Sequence, residues 1–245
     1  MFRVLDLFSG IGGFSLGLER TGGFETVAFC EIDPFCRKVL AKHWPTVRQY
    51  EDVRTLTADT LARDGIGVDV ITGGFPCQDI SVAGKQAGIS DGTRSGLWSE
   101  IARLVGELRP QFVIVENVAA LLGGGLYRVL GDLAEIGFDA EWHCIPASYV
   151  GAAHRRDRIW IVAHPYGQIM EGRTISTGIE GQRAERTQQP GAMAETLVRV
   201  SSPAGSTGGI AYDVPRRMDR LKSLGNAVVP QIPELIGRAI LADSK

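Results

Sequence analysis

The residues best suited to chemistry are a cysteine and a glutamate, each placed at the end of an apolar run. Cys77 stands in Gly73-Gly74-Phe75-Pro76-Cys77-Gln78-Asp79-Ile80-Ser81, directly after Val68–Thr72, and Glu116 stands in Glu116-Asn117-Val118, directly after Phe112–Val115. A thiolate is a strong nucleophile, and a free thiol titrates near ~8.5 before any tuning. Pro76 would stiffen the loop that displays it. A carboxyl group pushed up by burial can act as an acid near neutral pH. A third polar cluster, Arg155-Arg156-Asp157-Arg158, precedes the apolar run Ile159–Ala163. By residue type alone it is either a salt-bridged surface turn or a set of cations serving a site.

A second kind of site is written near the start. Leu5-Asp6-Leu7-Phe8-Ser9-Gly10-Ile11-Gly12-Gly13-Phe14 puts a glycine turn directly after an apolar run that Asp6 interrupts. Glycines there let the backbone approach a ligand and admit positive φ. Glu31 follows Gly10 by 21 residues, a distance at which a carboxylate can accept from ribose hydroxyls. Asp52-Val53 closes another extended stretch, where a carboxylate can accept from an adenine amino group. The glycine spacing departs from G-x-G-x-x-G, which argues against a pyrophosphate cradle. An S-adenosylmethionine site, a nicotinamide-type site and a tight turn without ligand all remain open on these residues.

These residues need a scaffold that brings strand ends together. Short β-rich runs at Phe2–Leu7, Thr26–Ile32, Val68–Thr72, Phe112–Val115 and Ile159–Ala163 alternate with helical patterns at Pro34–His43, Leu97–Leu108 and Leu126–Ile136. Apolar runs of that length separated by helical crossovers predict an α/β fold with a doubly wound, mostly parallel sheet. A strand around Ala140–Ile145 is expected at the sheet edge. In such sheets the crevice outside the carboxyl ends of the strands holds the ligand, so the glycine turn, Cys77 and Glu116 should share one edge. Residues 164–222 differ in character, with 8 Gly, 4 Pro, 9 Ser or Thr and only Tyr166 and Tyr212 as aromatics. They cannot build much core of their own. The pattern then recovers, with Leu224–Pro230 expected as a compact turn and Gln231–Asp243 as an amphipathic helix. The expected division is residues 1–164 plus 222–245 as the main domain and 165–221 as a small loop-rich second one.

Composition narrows the class further. The 245 residues are 44% hydrophobic and 22% charged with a net charge of −2, ordinary for a globular protein and unlike a polycation. From Gly151 to Lys222, however, 11 Arg and Lys stand against 7 Asp and Glu. An acidic body with a cationic, polyanion-facing region would show that asymmetry. The four cysteines (Cys30, Cys36, Cys77 and Cys144) lack metal-type spacing, so neither a metal nor a disulfide framework is expected. No stretch is apolar enough for a membrane span. The chain enters a strand at once, with no room for a signal peptide, and a reducing cytoplasm is expected.

The segments Asp6–Phe14, Gly74–Ser81, Glu116–Val118, Arg155–Arg158 and Gly225–Pro230 resemble, in content and order, the motifs of C5-type DNA cytosine methyltransferases. The resemblance covers residues 2–164 and 213–242. It implies methyl transfer from S-adenosylmethionine to C5 of a flipped cytosine, with Cys77 adding to C6 and Glu116 assisting at N3. It makes Arg156 and Arg158 arginines that orient the active site, where guanidiniums favour the thiolate and hold phosphate oxygens. Cofactor contacts fall by the same resemblance on Phe8, Gly10, Ile11, Gly12, Glu31, Ile32, Asp52, Val53, Pro76, Leu97, Asn226 and Val228. Gly151-Ala152-Ala153-His154 departs from the proline and glutamine that commonly precede these arginines.

The implied substrate is double-stranded DNA, because a thiol cannot reach cytosine C6 inside a stacked duplex unless the base is flipped out. The long stretch 79–95, with Gly84, Lys85, Gly88, Gly92 and Arg94, fits a closing loop that meets phosphates. Target recognition would belong to the turn-rich insert, where Arg173, Arg183, Arg186, Arg199, Arg216, Arg217 and Arg220 are available to phosphates or guanines. A monomer of bacterial or phage origin is expected, with a cognate restriction endonuclease as a further partner. Two other readings share these residues: a tRNA cytosine methyltransferase, and a catalytically silent methyltransferase-like DNA-binding subunit.

Overall fold

In the computed structural model, residues 1–76, 95–152, 154–167 and 217–243 are described. Seven strands form one sheet: β1 (Phe2–Leu7), β2 (Phe24–Cys30), β3 (Arg48–Tyr50), β4 (Val70–Gly73), β5 (Phe112–Val118), β6 (Phe138–Pro146) and β7 (Asp157–Pro165). Their order is β3-β2-β1-β4-β5-β7-β6. The first five are mutually parallel, and β7 runs antiparallel to both β5 and β6. The crossovers carry α1 (Gly13–Glu19), α2 (Pro34–His43), α3 (Ala58–Arg63) and α4 (Trp98–Leu108). Next come α5 (Leu121–Gly124) and α6 (Leu126–Ile136), then α7 (Arg217–Asn226) and α8 (Gln231–Asp243).

Alternation along the strands sorts the core onto two faces. Leu5, Leu7, Ile71, Val113, Val115, Ile159 and Ile161 pack with α3, α4 and α6. Val4, Val70, Phe112, Ile114, Trp160 and Val162 pack on the other face with α1 and α8. Side chains of successive residues point to opposite faces, so each buried strand reads as a continuous apolar run. The chain winds one way from β1 to β3 and the other way from β4, which opens a crevice at the carboxyl ends of β1 and β4.

The doubly wound, mostly parallel sheet is therefore present, and α2, α6 and α8 have the bounds expected from sequence. The edge strand is β6, longer than Ala140–Ile145 because it pairs with β7 along its whole length. β2 stops at Cys30 rather than Ile32, since Glu31 turns its side chain to backbone N–H groups instead of continuing the ladder. One expectation needs correction: Leu224–Pro230 is not wholly a turn, because Leu224–Asn226 complete α7. Tertiary contacts supply what the sequence pattern lacks there. Lys222 pairs with Asp33 at 3.2 Å, and the buried Ser223 hydroxyl lies 3.5 Å from Cys36 Sγ. This helix crosses the boundary expected between residues 221 and 222. Among the described residues no helix is long and apolar enough to cross a membrane.

Candidate active site

The glycine turn after β1 is held in an uncommon conformation. Phe8, Gly10 and Gly12 all have positive φ, at 52°, 54° and 86°. For Phe8 that conformation is costly, of order ~1–3 kcal/mol, and persists only where the surroundings enforce it. The enforcing contacts are visible. Gly10 N–H donates to Glu31 Oε2 at 2.7 Å, and Asp33 N–H donates to Oε1 at 2.7 Å. Gly12 has no room for a side chain, because an added Cβ would lie 2.6 Å from the Trp44 ring. Glu31 is thus fixed between the turn and the start of α2, with lone pairs left for a ligand's hydroxyl groups.

Asp6, which interrupts β1, underlies this turn. Its side chain is fully buried, with Oδ1 accepting from the Thr72 hydroxyl at 2.8 Å and Oδ2 from the Ser15 hydroxyl at 2.9 Å. Burial pushes its carboxyl up to about 7 against the lowering effect of the two hydroxyls. Asp6 ties β1, β4 and α1 together beneath the turn. It was not among the candidate residues, although an acid inside an apolar strand is a signal in the sequence.

A pocket of about 380 Å³ opens beside Glu31, lined in part by Ile32, Tyr50, Asp52 and Leu56. Ile32 is well exposed, while Val53 is buried. Asp52 accepts from Arg54 through Nε at 2.9 Å and Nη2 at 2.6 Å, and Arg54 holds it below the usual aspartate range. Ile11 is half-buried in the turn, and Leu97 closes a short 3₁₀ turn before α4 and packs on the core. Val228 reaches the turn from the far end of the chain: a Cβ on Gly13 would meet its carbonyl at 2.6 Å. Asn226, the last residue of α7, is exposed.

The acid at the end of β5 is brought against the segment that leads to Cys77. Glu116 is buried, and its Oε2 would lie 3.3 Å from a Cβ on Gly74. Its neighbour Asn117, also buried, donates from Nδ2 to the Phe75 carbonyl at 3.2 Å. The backbone that ends at the half-buried Pro76 is therefore tied to β5. Cys77 itself, the stretch from 77 to 94, and the insert arginines 173, 183, 186, 199 and 216 lie outside the described residues.

Two guanidiniums complete the cluster. Arg158 Nε lies 2.9 Å from Glu116 Oε1. Burial raises the Glu116 carboxyl above the ordinary range, and the positive charges of Arg158 and Arg156 oppose the rise. Arg156 adopts φ 35° and donates from Nη1 to the Gly225 carbonyl at 2.7 Å, near the C-terminal end of α7. A cation there is favoured by the unpaired carbonyls of a helix terminus. Burial and the neighbouring Arg158 lower the Arg156 guanidinium, and Glu116 counters them. The arginine cluster is thus no free surface turn, except at Arg155, which is exposed and paired with Asp157.

A buried acid paired with an arginine and set against the Gly74–Pro76 segment, on the same sheet edge as a glycine turn, restricts the family. A profile of the C-5 cytosine-specific DNA methylase family matches residues 2–207. The chain belongs to that family. Members use S-adenosylmethionine as methyl donor. The type II methyltransferase M2.BsuMI of Bacillus subtilis is 36% identical over 169 residues, covering 66% of this chain and 41% of that protein. M.HgiBI of Herpetosiphon aurantiacus is 38% identical over 165 residues, covering 66% and 37%. The chain thus spans about two-fifths of the length of these curated relatives. Among solved structures, a putative DNA modification methyltransferase encoded in an E. coli prophage superposes with a TM-score of 0.57 at 31% identity, over 67% of this chain and 47% of that one. The S. pombe Dnmt2 methyltransferase shares the fold, with a TM-score of 0.61 at 18% identity over 79% of this chain and 57% of that one.

The residues present fit the family's cofactor. The turn carries positive φ at Gly10 and Gly12, Glu31 is anchored against it with spare acceptor capacity, and a pocket lined by the next residue, Ile32, and by Asp52 adjoins it. Val228 packs against Gly13, just after the turn.

Proposed function

We propose that this protein is a DNA (cytosine-5-)-methyltransferase in which Cys77 is the nucleophile and Glu116 the assisting acid. The observation that supports the reading is that buried Glu116, paired with Arg158, lies against Gly74 while Asn117 holds the Phe75 carbonyl, on the segment that leads in sequence to Cys77. S-adenosylmethionine supplies an electrophilic methyl group on a positively charged sulfur. Glu31 and Asp52 are read as acceptors for its ribose hydroxyls and its adenine amino group, with Phe8, Gly10, Ile11, Gly12, Ile32, Val53, Pro76, Leu97, Asn226 and Val228 lining the site.

Cytosine C5 is too weak a nucleophile to take a methyl group unaided. The Cys77 thiolate adds to C6, and the C5=C6 electron pair moves into the ring, so that C5 becomes enamine-like. Glu116 in its protonated form donates to N3 and neutralises the charge that develops there, which is why its raised carboxyl matters. C5 would then take the methyl group as the S–CH3 bond breaks and its electron pair returns to sulfur, leaving a neutral thioether; a base removes the C5 proton, and the returning electron pair expels Cys77 as thiolate. Arg158 holds Glu116 in place, and Arg156 adds positive potential that favours the thiolate.

The same reading takes residues 165–221 as a short target-recognition region and 1–164 plus 222–245 as the catalytic body. It takes the protein as a cytoplasmic monomer acting on double-stranded DNA. The type II methyltransferase names of the relatives support a restriction–modification setting with a cognate endonuclease.

Duplex DNA carrying 5-fluorocytosine tests the reading, because fluorine blocks the final elimination and traps the Cys77–C6 bond. A denaturant-resistant protein–DNA adduct is expected, and Cys77→Ser should abolish it. Absence of any adduct across mixed-sequence DNA would refute the catalytic reading in favour of a silent DNA-binding subunit. Methyl transfer to tRNA without transfer to DNA would refute the DNA assignment.

A further inference from the structure

The wall of the pocket beside Asp52 is held by a side chain from another layer of the fold. Residues 51–57, between β3 and α3, carry no regular ladder of their own. Arg103 on α4 reaches them. Its Nη2 donates to the backbone carbonyls of Val53 at 3.0 Å and Leu56 at 2.8 Å. Its Nε and Nη1 donate to Glu100 at 2.8 Å and Glu107 at 2.7 Å, so every guanidinium nitrogen is engaged. Glu107 also accepts the Ala58 N–H at 3.0 Å. Two side chains one helical turn apart therefore grip the segment that begins directly after Asp52, at Val53, Leu56 and Ala58.

A planar fork with fixed donor directions suits this task, and a lysine cannot reproduce it. Arg103 is about one-third exposed, which makes its bonds less screened than those of a surface ion pair. Asp52 is otherwise restrained locally, by its pairing with the exposed Arg54 and by the Thr55 N–H and hydroxyl on its carbonyl. The position of Asp52 and Val53 relative to Glu31 thus depends on α4.

We infer that Arg103, supported by Glu107, is a positioning residue that sets how Asp52 and Val53 meet the purine end of the cofactor. The inference rests on reading this pocket as part of the S-adenosylmethionine site. A purely structural staple would alter stability, whereas a positioning residue must also alter which purine is preferred.

Calorimetric binding of S-adenosylhomocysteine and of its inosine counterpart, which has oxygen in place of the 6-amino group, separates these roles. The wild-type protein should prefer the adenine form, since Asp52 accepts from the amino group. Arg103→Lys and Arg103→Met should weaken binding of the adenine form about tenfold, the scale of one well-placed hydrogen bond. The inosine form should weaken less, so the preference falls toward unity. The KM for S-adenosylmethionine should rise while kcat at saturation stays within about twofold of wild type. Glu107→Gln should give the same pattern more weakly, and it serves if Arg103→Met fails to fold. Unchanged affinity and preference in Arg103→Lys and Glu107→Gln would overturn the inference, as would an equal loss for both purines. A wild-type protein that binds neither ligand would instead overturn the reading of the pocket itself.

Discussion

Replacing Asp6 with asparagine should make the protein more stable at pH 8 and leave its stability near pH 4 unchanged. Asp6 is fully buried, and its two oxygens accept from neutral hydroxyls, those of Thr72 and Ser15. Among the described residues its partners are uncharged, and the nearby Glu31 adds repulsion. Its carboxyl is pushed up to about 7, so the fold prefers the neutral form. In the unfolded chain it ionises near ~3.9. Between these values the folded state binds more protons than the unfolded one, so stability falls as pH rises. The penalty is absent below the unfolded value, grows through the window from about 4 to 7, and is constant above it. At 1.36 kcal/mol per decade of pH the full penalty is about 4 kcal/mol, of which about 2 to 3 kcal/mol develops between pH 5 and 8. Asparagine has nearly the same shape and never ionises. Its amide can donate to one hydroxyl while accepting from the other, because hydroxyls rotate to suit. Urea denaturation of both proteins at half-unit steps from pH 4.5 to 8.5 measures the difference. The Asp6→Asn curve should rise above wild type with increasing pH. Parallel curves would refute the claim that the fold holds Asp6 neutral.

Three further substitutions follow from the local surroundings of named residues. Arg158→Met removes the cation 2.9 Å from Glu116, so the carboxyl should move further above the ordinary range. If protonated Glu116 is the active form, the alkaline limb of the kcat/KM–pH profile should move to higher pH. The maximal rate should fall about 10²-fold as the acid loses its fixed position. An unmoved limb would argue that Glu116 does not set it. Gly17→Ala forces a methyl group into the Pro230 carbonyl and the Pro233 ring, so it should cost about 1–3 kcal/mol and weaken cofactor binding through the adjacent Val228. Gly106→Ala, in open space on α4, should instead stabilise by roughly 0.5–1 kcal/mol. Chemical denaturation of the two variants side by side checks the contrast.

The strands and long helices were legible because apolar runs and helical periods report burial, and burial is what the two core faces record. The convergence of the glycine turn with Glu116 was legible too, since parallel strands put their carboxyl ends on one edge. What escaped was set by contacts distant in sequence. The helix α7 is held by Lys222 on Asp33 and by Ser223 against Cys36, partners nearly 190 positions away. No local pattern announces such a helix, and its mean sequence character is polar. Arg103 escaped for the same reason: on α4 it reads as one half of i,i+3 and i,i+4 pairs with Glu100 and Glu107, while its bonds to Val53 and Leu56 have no sequence signature.

Asp6 and Glu116 are two buried acids on one sheet with different partners. Both sit on parallel strands and both are raised by burial. Asp6 is met by the Thr72 and Ser15 hydroxyls and by the Ser15 backbone N–H, none of which carries a charge, and it joins β1 to β4 and α1. Glu116 is met by Arg158 and lies within the field of Arg156, which keep its carboxyl from rising as far as burial alone would take it. On the proposed reading, an acid that donates to N3 must be reachable in its protonated form, and the adjacent guanidinium limits how far burial raises it. Both acids are deeply buried, so the difference between them lies in their partners: uncharged donors for Asp6, a guanidinium for Glu116.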